Sequence, residues 1–116
     1  MKASLAGVLP ALVTPLTGDE RLARKPMEQL LERMYAAGVD GVYVCGQTGE
    51  GLLLPLEERR LAAELAVRNS PAGKSVVAHV GAGRTADAVE LARHARELEF
   101  TPSAACRPSA LSPLEK

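Results

Sequence analysis

The sequence has no surplus of either charge: 14 Lys and Arg stand against 14 Asp and Glu, a formal net charge of zero. That argues against a nucleic-acid surface, which needs a basic excess. No apolar run is long enough to span a membrane. The opening Met1-Lys-Ala-Ser-Leu-Ala-Gly7 carries one cation but no long apolar core, so it does not read as a signal peptide. Cysteine is scarce, with Cys45 in an expected buried strand and Cys106 in an expected irregular tail. A structural disulfide is not expected, and a reducing, cytoplasmic location fits. His79 and His94 are the only histidines, and no Cys/His cluster has metal-ligand spacing. Neither a metal nor a cofactor is expected. At 116 residues the chain has room for one modest domain.

What is present centres on Gly38-Val-Asp-Gly-Val-Tyr-Val-Cys-Gly-Gln-Thr-Gly-Glu-Gly51. Residues 42–45 read as a short buried strand, rich in β-branched and aromatic side chains. The strand runs into a turn in which Gly46, Gly49 and Gly51 are expected to take backbone angles closed to other residues. Thr48 offers a hydroxyl and an N–H in that turn. A turn just past a strand end is where α/β proteins present N–H groups to anions. A plain strand-to-helix connection without a ligand fits the spacing equally well.

The rest of the chain repeats this plan. Residues 7–13 look like a first strand, with Pro10 awkward inside it. A helix is expected over residues 26–37, with Pro26 near its start and Met27, Leu30, Leu31 and Met34 on one face. Gly38 stops it. Pro55 opens a second helix running to residue 69, its inner side built from Leu61, Ala62, Leu65 and Ala66. The run at residues 57–60 reads as a solvated end, and Glu64 to Arg68 as a favourable helical pair. Residues 75–80 make a third strand, apolar enough to be covered on both faces. The Gly81-Ala-Gly83 turn leads to a third helix capped by Thr85, with Ala88, Leu91, Ala92, Ala95 and Leu98 as its buried stripe. The alternation argues for a parallel sheet. After Leu98 periodicity stops, and residues 99–116 are expected to be irregular.

Single residues invite other readings. His79 lies in a strand pattern and reads as a packed, neutral imidazole rather than a catalyst. His94, four residues after Glu90, is expected at the surface. Gly81-Ala-Gly83-Arg-Thr-Ala86 satisfies a dinucleotide fingerprint, yet it follows the third strand and lacks the acidic residue at the end of the next one. A small α/β module binding a partner through an open sheet edge is a further class.

Three stretches then fall in register with a known family. Gly7-Val-Leu-Pro-Ala-Leu-Val-Thr-Pro15, Gly46-Gln-Thr-Gly-Glu50 and Val77-Ala-His-Val-Gly81 with Thr85 resemble the dihydrodipicolinate synthase / N-acetylneuraminate lyase family. Glu58-Arg59 stands where that family has an acidic–basic pair. The resemblance covers residues 5–98 and leans toward the N-acetylneuraminate lyases. It implies the first three β/α units of a (β/α)8 TIM barrel over residues 1–98, followed by the tail at 99–116.

The resemblance also implies a chemistry. A lysine on the sixth strand condenses with pyruvate or another 2-oxo acid, and the iminium is the electron sink for aldol cleavage or condensation. A tyrosine on the fourth strand moves protons. Carried over, Gln47, Thr48 and Gly49 would hold the oxo acid's carboxylate, with Glu50 as a buttress. The resemblance implies a homo-oligomeric parent, and a fragment of it would be prone to aggregate. Gln47 departs from the small hydroxyl residue of many members, which puts a proton relay there in doubt. Neither the lysine nor the tyrosine falls within the matching residues, so no catalytic residue is assigned and this chain alone is expected to be inactive. Condensation of pyruvate with an aldehyde, or a non-catalytic fragment, are the alternatives. The abrupt change after Leu98 suggests a frameshift. Under one choice of codons, an added G after Leu98 restores Leu-Gly-Val-His-Ala-Val-Ser-Ser-Leu-Pro-Pro, a glycine cap and an apolar strand.

Overall fold

The computed structural model describes residues 7–98 and the backbone of residues 105–109. Helix α1 (Arg24–Ala36) precedes strand β1 (Gly41–Val44), and helix α2 (Leu56–Arg68) precedes β2 (Ser75–His79). Helix α3 (Thr85–Leu98) then leads to β3 (Ala105–Ser109). The three strands form one sheet in the order β1-β2-β3, with both pairs parallel. Val42 lies opposite Val76 and Tyr43 opposite Val77.

Each element follows from local chemistry. Pro26 occupies the first turn of α1, where a missing N–H leaves no intrahelical bond unmade. Gly38 takes a left-handed φ of 93° just past α1, as the stop signal requires. Strand residues alternate, so Val42, Val44, Val76 and Ala78 face the helices and are buried. They meet Met27 and Leu31 of α1, Ala62, Leu65 and Ala66 of α2, and Ala95 of α3 in one apolar core. Burying a side chain the size of Leu31 contributes roughly 1.5–3 kcal/mol.

Two expectations change. The first strand is reduced to one parallel bridge, Ala11 to Tyr43. Leu12 N donates to the Tyr43 carbonyl at 2.9 Å, and Tyr43 N donates to the Pro10 carbonyl at 2.9 Å. The next rung would need an N–H from Pro10, which proline lacks, so the ladder stops. The tail expected to be irregular contains β3, whose Val76–Cys106 and Val77–Arg107 pairings continue the sheet. Strand pairing is made by backbone groups, and the open edge of β2 offers them whatever the side chains. Residues 99–104 and 110–116, the rest of that expectation, lie outside the described residues. Among the described residues no helix is long and apolar enough to cross a membrane.

Candidate carboxylate site

The turn at residues 46–51 leaves the C-terminal end of β1. Because β1 and β2 are parallel, the turn at residues 81–83 leaves the same rim. The first turn closes on itself through Glu50 N to the Gln47 carbonyl at 3.0 Å and Gly51 N to the Gly46 carbonyl at 3.1 Å. Thr14 Oγ1 donates to the Gly49 carbonyl at 2.6 Å and pins the turn to the first extended segment.

The glycines serve a different purpose from the one expected. Left-handed angles fall on Cys45 (φ 60°) and Glu50 (φ 55°), and on none of Gly46, Gly49 or Gly51. The glycines are required by close approach. A Cβ on Gly51 would sit 1.9 Å from the Cys45 carbonyl oxygen, and one on Gly46 would sit 2.6 Å from the Tyr43 ring. On Gly49 it would meet the Leu12 carbonyl and Thr14 Oγ1, each at 3.0 Å. The turn is therefore folded tightly back on the strand that precedes it, with two non-glycine residues held in strained geometry.

Gln47 and Thr48 project outward and are exposed, whereas Gly49 is buried. No hydrogen bond among the described residues uses the Thr48 hydroxyl or the Thr48 and Gly49 N–H groups. Glu50 supports the turn through its N–H, and its side chain is exposed. The three residues proposed from sequence follow one another in this turn, two of them exposed and the third buried.

Beneath the turn lies a cluster that sequence reasoning took for a wet helix end. Glu58 and Arg59 are 6% and 4% exposed. Glu58 accepts a hydrogen bond from Leu22 N at 2.7 Å and lies 3.6 Å from Arg21. Arg59 donates to the carbonyls of Gly81 at 2.8 Å and His79 at 2.7 Å. Its second amino group lies 3.4 Å from His79 Nδ1. Burial pushes the Cys45 thiol up to about 11, against the opposing pull of the Arg59 charge and its hydrogen bond. The available signal was Pro55: as the residue that caps α2, it places positions 58 and 59 in the first helical turn, close to both strand ends. Charge alone suggested solvent.

His79 is half-buried beside Arg59, in keeping with a packed imidazole. His94 corrects the surface expectation: Nε2 lies 2.8 Å from Glu64 Oε2 and ties α3 to α2. Glu64 is thereby engaged across helices, and Glu90 bonds Arg60 at 2.8 Å. Lys25 is exposed on α1, and Lys74 precedes β2 at the rim opposite the turn. Among the described residues no group of three or more His, Cys, Asp or Glu could hold a metal.

Comparison with known proteins gives the family. The model of the dihydrodipicolinate synthetase family matches residues 4–108, past Leu98, where the sequence pattern had been read as failing. A 4-hydroxy-tetrahydrodipicolinate synthase of Phenylobacterium zucineum is 43% identical over 90 residues, 78% of this chain and 30% of the relative. The N-acetylneuraminate lyase of Aliivibrio salmonicida superposes with a TM-score of 0.83 at 32% identity, covering 97% of this chain and 36% of that one. A prophage protein of the dihydrodipicolinic acid synthase family from Escherichia coli K12, solved with pyruvate, gives 0.77 at 29% identity, covering 83% and 32%. The chain spans about a third of the length of the relatives it matches.

Proposed function

We propose, from the premise that this chain belongs to the dihydrodipicolinate synthetase family, that the turn at residues 46–51 is the carboxylate-binding corner of a pyruvate-dependent Schiff-base lyase. The observation that carries the reading is the exposed Thr48, whose hydroxyl and N–H, like the N–H of Gly49, have no hydrogen-bond partner among the described residues, on the rim where two parallel strands end. Such donors suit a carboxylate, at roughly 1.5–3 kcal/mol for each charged hydrogen bond when buried. A related protein holds pyruvate. In this reading residues 7–98 are part of a (β/α)8 barrel, and the activity is retro-aldol cleavage to a 2-oxo acid of the N-acetylneuraminate lyase kind. Condensation of pyruvate with an aldehyde is the second reading, supported by the 43% identity to a synthase.

The 116-residue chain alone is expected to bind pyruvate weakly and to leave it unchanged. A half-open site leaves water in competition, so titration followed on the Thr48 and Gly49 amides should give a Kd of about 1 mM, near 4 kcal/mol. Thr48→Val should weaken it further. Borohydride reduction in the presence of pyruvate should leave Lys25 and Lys74 unmodified, since neither stands at the C-terminal end of a strand. A stable adduct on either lysine, or micromolar binding, would show a working site within this chain. The frame of residues 99–116 is decided by sequencing the gene. A shifted frame that stops early, or that lacks a lysine on a sixth strand, rules the frameshift out.

A further inference from the structure

We infer that Arg59 is the positioning residue of the His79 imidazole: it holds the ring as the neutral tautomer with its proton on Nε2, which makes His79 a hydrogen-bond donor at this rim and not a base. His79 is the last residue of β2 and is half-buried. Arg59 holds its backbone first. Nη2 of the guanidinium donates to the His79 carbonyl at 2.7 Å, and Nη1 donates to the Gly81 carbonyl at 2.8 Å. The same Nη2 lies 3.4 Å from Nδ1 of the ring. A guanidinium nitrogen donates and never accepts. Of the two hydrogens on Nη2, one serves the carbonyl and the other faces Nδ1. Nδ1 can meet it only as an acceptor, so the proton of the neutral imidazole stands on Nε2.

A proton on Nδ1 would set one N–H against another, beside a positive charge that no carboxylate offsets. Glu58, next in sequence to Arg59, is turned toward Leu22 and Arg21. No ion pair among the described residues includes Arg59. The other edge of the ring is fixed by a glycine. A Cβ on Gly81 would lie 2.8 Å from Cε1 and 2.9 Å from Nε2 of His79. The ring therefore has Arg59 at Nδ1 and takes up, with Cε1 and Nε2, the space that a side chain at position 81 would need. This holds whether or not the turn at residues 46–51 binds a carboxylate.

The test is the tautomer ratio of His79, read from long-range proton–nitrogen correlations of the imidazole in the nitrogen-15-labelled full chain at pH 8. His79→Gln separates its ring signals from those of His94. In the wild type the Nε2–H form should exceed the Nδ1–H form by about tenfold or more, the worth of one hydrogen bond from a charged donor. In Arg59→Met the ratio should fall about tenfold, since Nδ1 loses that donor. A merely structural arginine would leave the ratio where it was. A wild type that carries its proton on Nδ1 overturns the proposal, and so does a methionine variant with the wild-type ratio. If Arg59→Met fails to fold, Gly81→Ala decides. Its Cβ crowds the Cε1–Nε2 edge and should shift the ring off Arg59, lowering the ratio with the guanidinium still in place. An unchanged ratio in that variant refutes the proposal.

Discussion

At the scale of single residues, stability depends on what each atom meets. Gly51 and Gly83 make the sharpest contrast. A Cβ on Gly51 runs into backbone, whereas one on Gly83 meets nothing within 4 Å. Gly51→Ala should lower stability by about 3 kcal/mol, the upper range for overpacking. Gly83→Ala should stay within about 0.5 kcal/mol. Paired urea titrations check both. Cys45 adds a pH dependence. Its folded pKa is raised to about 11 by burial, so the folded state keeps a proton that the unfolded state gives up near pH 9. The thiol's contribution is therefore complete below pH 9 and is lost as pH climbs toward 11, a change of roughly 2–3 kcal/mol. Tyr35, also raised by burial, adds to the loss at the alkaline end. Urea midpoints should fall over that window, and Cys45→Ala should remove the thiol's share. Iodoacetamide at pH 8 should label the peptide containing Cys45 slowly in the native protein and quickly in urea.

At the scale of elements, the first turn of α2 decides more than its charge suggests. Glu58→Ala leaves the Leu22 N–H without its acceptor and should destabilise the protein by roughly 1–3 kcal/mol. Glu57→Ala, exposed one position earlier, should be neutral within about 0.5 kcal/mol. Thermal melts of the two variants test the contrast. The pair also shows what sequence could tell. Helical periodicity placed α1 within two residues of its observed start, because Met27 and Leu31 mark an apolar face and Gly38 a stop. Residue type located the turn of the site, but the reason for its glycines was misread, since a close approach to Cys45 leaves no mark in the sequence. Glu58, Arg59 and His94 were misplaced for a common cause. Their burial is set by partners 20 to 36 residues away, and local pattern holds no record of those. β3 was missed because an open edge can recruit a segment through its backbone alone.

At the scale of the whole molecule, a parallel sheet covered by helices on one face has a second face and edges to satisfy. Leu52 and Leu53, in the 3-10 turn Gly51–Leu53 after the candidate site, are 68% and 79% exposed. Light scattering should show association that grows with concentration, and replacing both leucines by serine should reduce it. The sheet also carries a schedule. Its strands neighbour one another in the order in which they occur in the chain. β2 and β3 therefore each find a partner already made, about 30 residues earlier, with one helix between them. On a ribosome adding roughly 5–20 residues per second, β1 is made before β2 and β2 before β3, so each new strand can be added to one that precedes it. Growth of this sheet is vectorial, and its assembly can keep pace with synthesis.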